Sequence, residues 1–199
     1  MVDRHTCVCP FRVLDDLLRR VASLGGGIYR SVYYLSGVAV GEKEETMKRL
    51  NLGCADTILP GFDNVDIGPP ADTIADLSLP WPWETSSVEY VMAHDIIEHL
   101  PNKIHTMNEM YRVLIPNGQV DIIVPTIRGV GSVCDPTHKS YWSAGDFEYY
   151  EKGNFARERF RNSYGIAADF RIVSHEHSRY QNKFGEEVWK FGIILEAVK

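Results

Sequence analysis

At 199 residues, 44% hydrophobic and 24% charged, the chain has the composition of one globular domain that can bury a core without disulfides or metals. Its formal net charge of −6 argues against a broad phosphate-binding face and so against nucleic acid as a partner. No apolar run reaches membrane-spanning length, residues 1–20 are charged unlike a secretory signal, and of Cys7, Cys9, Cys54 and Cys134 only the first two are close, a poor zinc set. A reduced, cytoplasmic setting without membrane insertion is expected.

Residues 11–24 place Phe11, Leu14, Leu17, Leu18 and Val21 at helical spacing and stop at Gly25-Gly26-Gly27. Tyr29, Tyr33 and Tyr34 then pack over a pocket or cover a sheet edge, and 41–46 reads as a linker or helix start. Residues 1–47 are therefore expected to form an N-terminal helical segment or lid, and 48–199 the main domain. Strands are predicted at 49–52, 64–67 and 72–76, followed by a Pro- and Trp-rich loop at 79–83 and a strand at 88–93 that ends in His94-Asp95. Ile104, Met107, Tyr111 and Leu114 mark a helix, closed by Pro116-Asn117-Gly118, whose Asn-Gly supplies a left-handed turn into a strand at 119–124. Arg157, Arg159 and Arg161 read as a solvated helix face. The runs 170–177 and 188–198 are joined by a loop too short for a crossover helix, so they form an antiparallel hairpin. The expected fold is α/β: a Rossmann-like, doubly wound, mostly parallel sheet with that hairpin at its end and helices on both faces.

In such a sheet, ligands bind beyond the carboxyl ends of the strands. Residues 53–56, 66–67, 76–77 and 93–95 each follow a predicted strand and meet on that edge. Gly53 makes a tight turn that a ligand can approach, and an acid at the next strand tip, Asp66, can accept from ribose hydroxyls. A dinucleotide site needs G-x-G-x-x-G, with its acid about 20 residues on. After Gly53 the chain instead reads Cys54-Ala55-Asp56-Thr57-Ile58, and the acid arrives sooner. The pyrophosphate cradle is missing, and an adenosine cofactor without a diphosphate fits better.

The runs LNLGCADTILPGFDNVDI (50–67), ADLSLPWPWETSSVEYVMAHDIIEHLP (75–101) and NEMYRVLIPNGQVDIIVP (108–125) resemble the class I S-adenosylmethionine-dependent methyltransferases, nearest to their type 11 group. The resemblance spans residues 48–125 and implies a seven-stranded sheet whose last strand is reversed. It implies that the turn at Asn51, Gly53, Cys54 and Ala55 faces the methionine part of S-adenosylmethionine. Asp66 would take both ribose hydroxyls, Ile67 would pack on the adenine, Asp76 would take the adenine amino group, and Leu77 would line that pocket through its backbone. His94 would lie near the sulfonium and the acceptor. Ala55 stands where the family has Gly, and Asn51 where it often has an acid.

The loop 131–142 follows the fifth strand of the main sheet and is where the acceptor should be recognised. There Asp135 could orient His138 as a base, or form an Asx turn that leaves His138 structural. Glu98 and His99 suit a buried, hydrogen-bonded role better than a catalytic one. Trp81 and Trp83 either stack on substrate or cover the sheet end, and Tyr111 and Met107 read as core. No spacing supports a zinc site from His138, His94 and Asp135, so no metal is expected. The function implied is methyl transfer from S-adenosylmethionine, with S-adenosylhomocysteine as product, to a small molecule, sugar or lipid. Two alternatives stay open: a non-catalytic S-adenosylmethionine-binding protein, and a nucleic-acid or protein methyltransferase.

Overall fold

The computed structural model describes residues 34–35, 38–39 and 47–199. The 11–24 helix, Cys7, Cys9, Tyr29, Tyr33 and the 41–46 stretch lie outside the described residues. The chain divides into two units, 1–46 and 47–199. In the first, β1 (Tyr34–Leu35) and β2 (Val38–Ala39) pair antiparallel.

The second unit is built on a seven-stranded sheet. Its strands are β3 (Lys48–Leu52), β4 (Asp63–Asp66), β5 (Thr73–Ile74), β6 (Val88–His94), β7 (Leu114–Pro125), β8 (Phe170–Gln181) and β9 (Glu187–Ala197), in the spatial order β5-β4-β3-β6-β7-β9-β8. The first five named pair in parallel, and β9 inserts antiparallel between β7 and β8. The last strand is thus the reversed one, as the resemblance implied. The central strands are apolar runs buried on both faces: Leu50, Val65, Val88, Val91, Ala93, Val120, Ile122 and Val124 are all fully buried.

Helices occupy the connections after β6 and β7. Helix α1 (Lys103–Val113) starts at Asn102, whose side chain accepts from the His105 N–H, and buries Met107 and Met110. Asn117, with φ 63°, makes the predicted left-handed turn, now inside β7 rather than before it. Helix α2 (Phe155–Tyr164) is capped by Asn154 and ends on left-handed Gly165. Arg157 overturns the expected solvated face. It is fully buried, donates to the Ala168 carbonyl at 3.2 Å and pairs with Asp169 at 3.2 Å, because the chain leading into β8 runs beneath the helix.

The connections 53–62, 67–72 and 75–87 carry no helix. In place of a crossover helix, buried Asn64 on β4 satisfies backbone groups of the first connection and ties it to the second through Asp72. Its Oδ1 accepts from the Leu59 N–H and the Asn51 side chain, both at 2.9 Å. Its Nδ2 donates to the Leu59 and Phe62 carbonyls and, at 2.7 Å, to Asp72. Buried polar backbone must find partners, and here one side-chain amide provides several. Trp81 and Trp83 are buried, packed edge to face at 5.9 Å, with their indole N–H groups on the Leu77 carbonyl and Asp63. They cover the sheet; neither is free to stack on a ligand.

Candidate functional site

The register brings the predicted residues to one level. Leu52 on β3 stands opposite Val65 on β4 and Ala93 on β6, so Gly53, Asp66 and His94 each sit one residue past the same rung. Asp66 in turn faces Ile74 on β5.

Gly53 has φ +67°, and a Cβ there would lie 2.7 Å from three side-chain atoms of Ile96. The need for glycine is therefore steric and conformational, set by the segment after β6 rather than by open approach of a ligand. Ala55 is also left-handed, at φ 44°, and its N–H donates to Asp66 Oδ2 at 2.9 Å. The Ile67 N–H donates to Asp66 Oδ1 at 2.7 Å. The carboxylate thus ties two strand tips together, and each oxygen retains a lone pair for a further donor. Beside it Ile67 and Ile74 are 68% and 64% exposed, an apolar margin without a protein partner in the core.

Asn51 and Cys54 lie elsewhere than expected. Asn51 is buried and spends its amide on the Thr57 carbonyl and Asn64, so it frames the turn from within. Cys54 is buried, and its thiol is raised above the usual range by that burial and then by Asp66. Asp76 accepts from the Ser78 N–H and hydroxyl, and these hydrogen bonds hold its carboxyl below the ordinary value. Leu77 is buried, with its carbonyl taken by Trp81.

His94 faces Asp121, 3.3 Å away and only 1% exposed, which also accepts from the Tyr90 hydroxyl. Sequence reading passed over Asp121, although an acid inside the apolar run of β7 was the available signal. Beyond it, loop 132–140 is stitched to the short 3₁₀ turn Ile97–His99: the Lys139 and Ser140 N–H groups both donate to the Glu98 carbonyl. Here the expected Asp135–His138 pair does not form. Asp135 instead accepts from the N–H and hydroxyl of Thr137, an Asx turn made favourable by Pro136. His138 is oriented by the Ser132 carbonyl, 2.9 Å from its Nδ1. Its Nε2 lies 3.9 Å from Glu98 Oε1, and its ring meets the His99 ring edge to face at 4.8 Å. Burial, with help from Asp95, pushes the Glu98 carboxyl up to about 8. Burial and the neighbouring His138 lower His99.

Residues 70–122 match the family described as a methyltransferase domain. No curated protein matches the chain in sequence. Among solved structures, the YcgJ protein of Bacillus subtilis superposes with a TM-score of 0.53 at 10% identity, covering 77% of this chain and 92% of that one. A protein of Bacillus halodurans C-125 assigned as a methyltransferase gives 0.50 at 13% identity, covering 91% and 95%. At such identities the superpositions speak for the fold, and the matched segment for the motifs between β4 and β7. Residues 70–122 thus carry a methyltransferase-domain match, and the seven-stranded order with its reversed last strand is the fold of the solved structures on which the chain superposes.

Proposed function

We propose that the protein binds S-adenosylmethionine at the tips of β3, β4 and β5 and transfers its methyl group to a small-molecule, sugar or lipid acceptor. The observation that carries this reading is the Asp66 carboxylate, which bridges two strand tips beside the left-handed Gly53–Ala55 turn while keeping acceptor capacity on both oxygens. Residues present fit the cofactor: Asp66 for the ribose hydroxyls, exposed Ile67 for the adenine face, and Asp76 with the Leu77 backbone for its amino edge. The backbone of 53–55 would receive the methionine part. Bound S-adenosylmethionine supplies a methyl carbon activated by positive sulfur. What the chain must then do is align the nucleophile and exclude water. In this reading His94 on the β6 tip and His138 in the loop after β7 serve the acceptor, while Asp135 acts through Thr137 on His99 rather than on either of them.

Calorimetry with S-adenosylmethionine and S-adenosylhomocysteine tests the binding half. Both should bind, and Asp66→Ala should weaken them at least about tenfold, since hydrogen bonds to a charged group contribute roughly 1.5–3 kcal/mol each. Absence of binding, or unchanged affinity in Asp66→Ala, overturns the reading. His138→Ala should abolish turnover and spare cofactor affinity. One feature favours the non-catalytic alternative: Ala55 holds a left-handed conformation with a methyl group where the family has glycine. Cofactor binding without labelled product across amines, phenols, thiols, sugars, lipids and RNA would select it.

A further inference from the structure

We infer that Glu98, His99 and His138 form a binding site for a single divalent transition-metal ion, held by two imidazole nitrogens and one carboxylate oxygen. One donor atom from each residue lies within 4.8 Å of the other two. The set differs from the one weighed on sequence: His94 and Asp135 are not in it. Two residues come from the 3₁₀ turn after β6 and one from the loop after β7, and the backbone hydrogen bonds from Lys139 and Ser140 to Glu98 fix the two segments together.

The hydrogen bonds behind the cluster set both rings for ligation. His138 Nδ1 lies 2.9 Å from the Ser132 carbonyl, which can only accept, so Nδ1 carries the proton and Nε2 the free lone pair. The Thr137 hydroxyl donates its one proton to Asp135 Oδ1 at 2.6 Å. It must therefore accept from His99 Nδ1, 3.0 Å away, and His99 Nε2 is likewise the free nitrogen. Metal-binding histidines characteristically have their second nitrogen held in this way by a carbonyl or an acidic relay.

Glu98 supplies the independent sign of a ligand. Its side chain is 3% exposed, and Oε2 is buried with no hydrogen-bond partner. A buried carboxylate oxygen left bare is costly, and a cation is the partner that would satisfy it. Lys190, whose charge acts on Glu98, is engaged with Asp95. Closing His138 Nε2 and Glu98 Oε1 from 3.9 Å to the roughly 3.3–3.5 Å between neighbouring ligands at a tetrahedral zinc takes about half an ångström. Two imidazoles and a carboxylate suit zinc, cobalt or iron(II) rather than magnesium or calcium, and leave at least one position open for water or an acceptor oxygen.

The site shares His138 with the methyl-transfer reading but does not rest on it, and its test uses no cofactor. Chelator-treated full-length protein titrated with Co²⁺ should develop a visible d–d band that saturates at one equivalent and is displaced by Zn²⁺. His99→Ala, at a half-buried position that leaves the core intact, and Glu98→Gln should each abolish the band, with folding checked by circular dichroism. Thr137→Val, which removes the hydroxyl linking His99 to Asp135 and no metal ligand, should weaken cobalt binding roughly 10–100-fold. Absence of a band in wild type overturns the proposal. So does a band that survives His99→Ala, or one lost instead in the double variant Cys7→Ser/Cys9→Ser.

Discussion

Replacing Asn64 with leucine should cost the protein a large part of its stability although the volume hardly changes. Asn64 is 2% exposed and joins two helix-free segments, 53–62 and 67–72, to strand β3: it receives hydrogen bonds from Asn51 and Leu59 and gives them to Leu59, Phe62 and Asp72. In Asn64→Leu, the Leu59 N–H and one N–H of the Asn51 amide lose their acceptors inside the turn, while Asp72, at the rim, turns to water. Two stranded buried donors at about 1–3 kcal/mol each give a loss of about 2–6 kcal/mol. A chain of this size loses roughly 2–4 °C of midpoint per kcal/mol. Urea unfolding is the assay, with the midpoint falling and the slope kept, since the exposed surface of the unfolded state is the same. A change below about 0.5 kcal/mol, the range of a neutral surface substitution, would refute the idea that this amide replaces the crossover helix.

Asn64→Asp probes the same network by pH. In the wild type, Asn64 holds the Asp72 carboxyl low, first through its side chain and then its N–H. That contribution is present above the unfolded carboxyl value and is lost as pH falls through the lowered folded one. In Asn64→Asp two carboxylates share the site and their common titration is raised, so stability should increase as pH drops from about 7 to 5; a decline over that range would count against the contact. Ala55→Gly should leave the thermal midpoint unchanged or raise it, because relief of a left-handed alanine, about 1–2 kcal/mol, exceeds the glycine entropy cost of about 0.5–1 kcal/mol. A fall in midpoint would mean that Ala55 is unstrained. Arg157→Ala should cost about 3–5 kcal/mol in chemical denaturation by breaking a buried pair. Arg159→Ala, at an exposed position two residues on, should stay within about 0.5 kcal/mol, and equal effects would disprove the buried role of Arg157.

Much of the fold was legible in sequence because local chemistry dictates it. Apolar runs mark β6 and β7, Asn117-Gly118 marks a left-handed turn, although the structure sets it inside β7, and a short polar link forces the β8–β9 hairpin. Residues 50–67 and 75–101 likewise announced a cofactor edge through a strand, a glycine turn and an acid at the next tip. What the sequence did not reveal depends on partners far along the chain. Gly53 is glycine because Ile96 packs against it. Arg157 turns inward because the chain before β8 offers a carbonyl and an acid. Between the two readings open for Asp135, the structure takes the Asx turn to Thr137 over the pairing with His138. Spacing on the page could set His138 beside Asp135, three residues away, but only the parallel register of β6 and β7 brings it to Glu98 and His99, some forty residues earlier. Sequence by itself determined which strands of the main sheet form and where a ligand edge lies, since both follow from local propensity and pattern, while the β1–β2 pair went unread. The tertiary structure alone decided which side chains meet there, because contacts across a sheet edge are set by register and loop closure, which no local window contains.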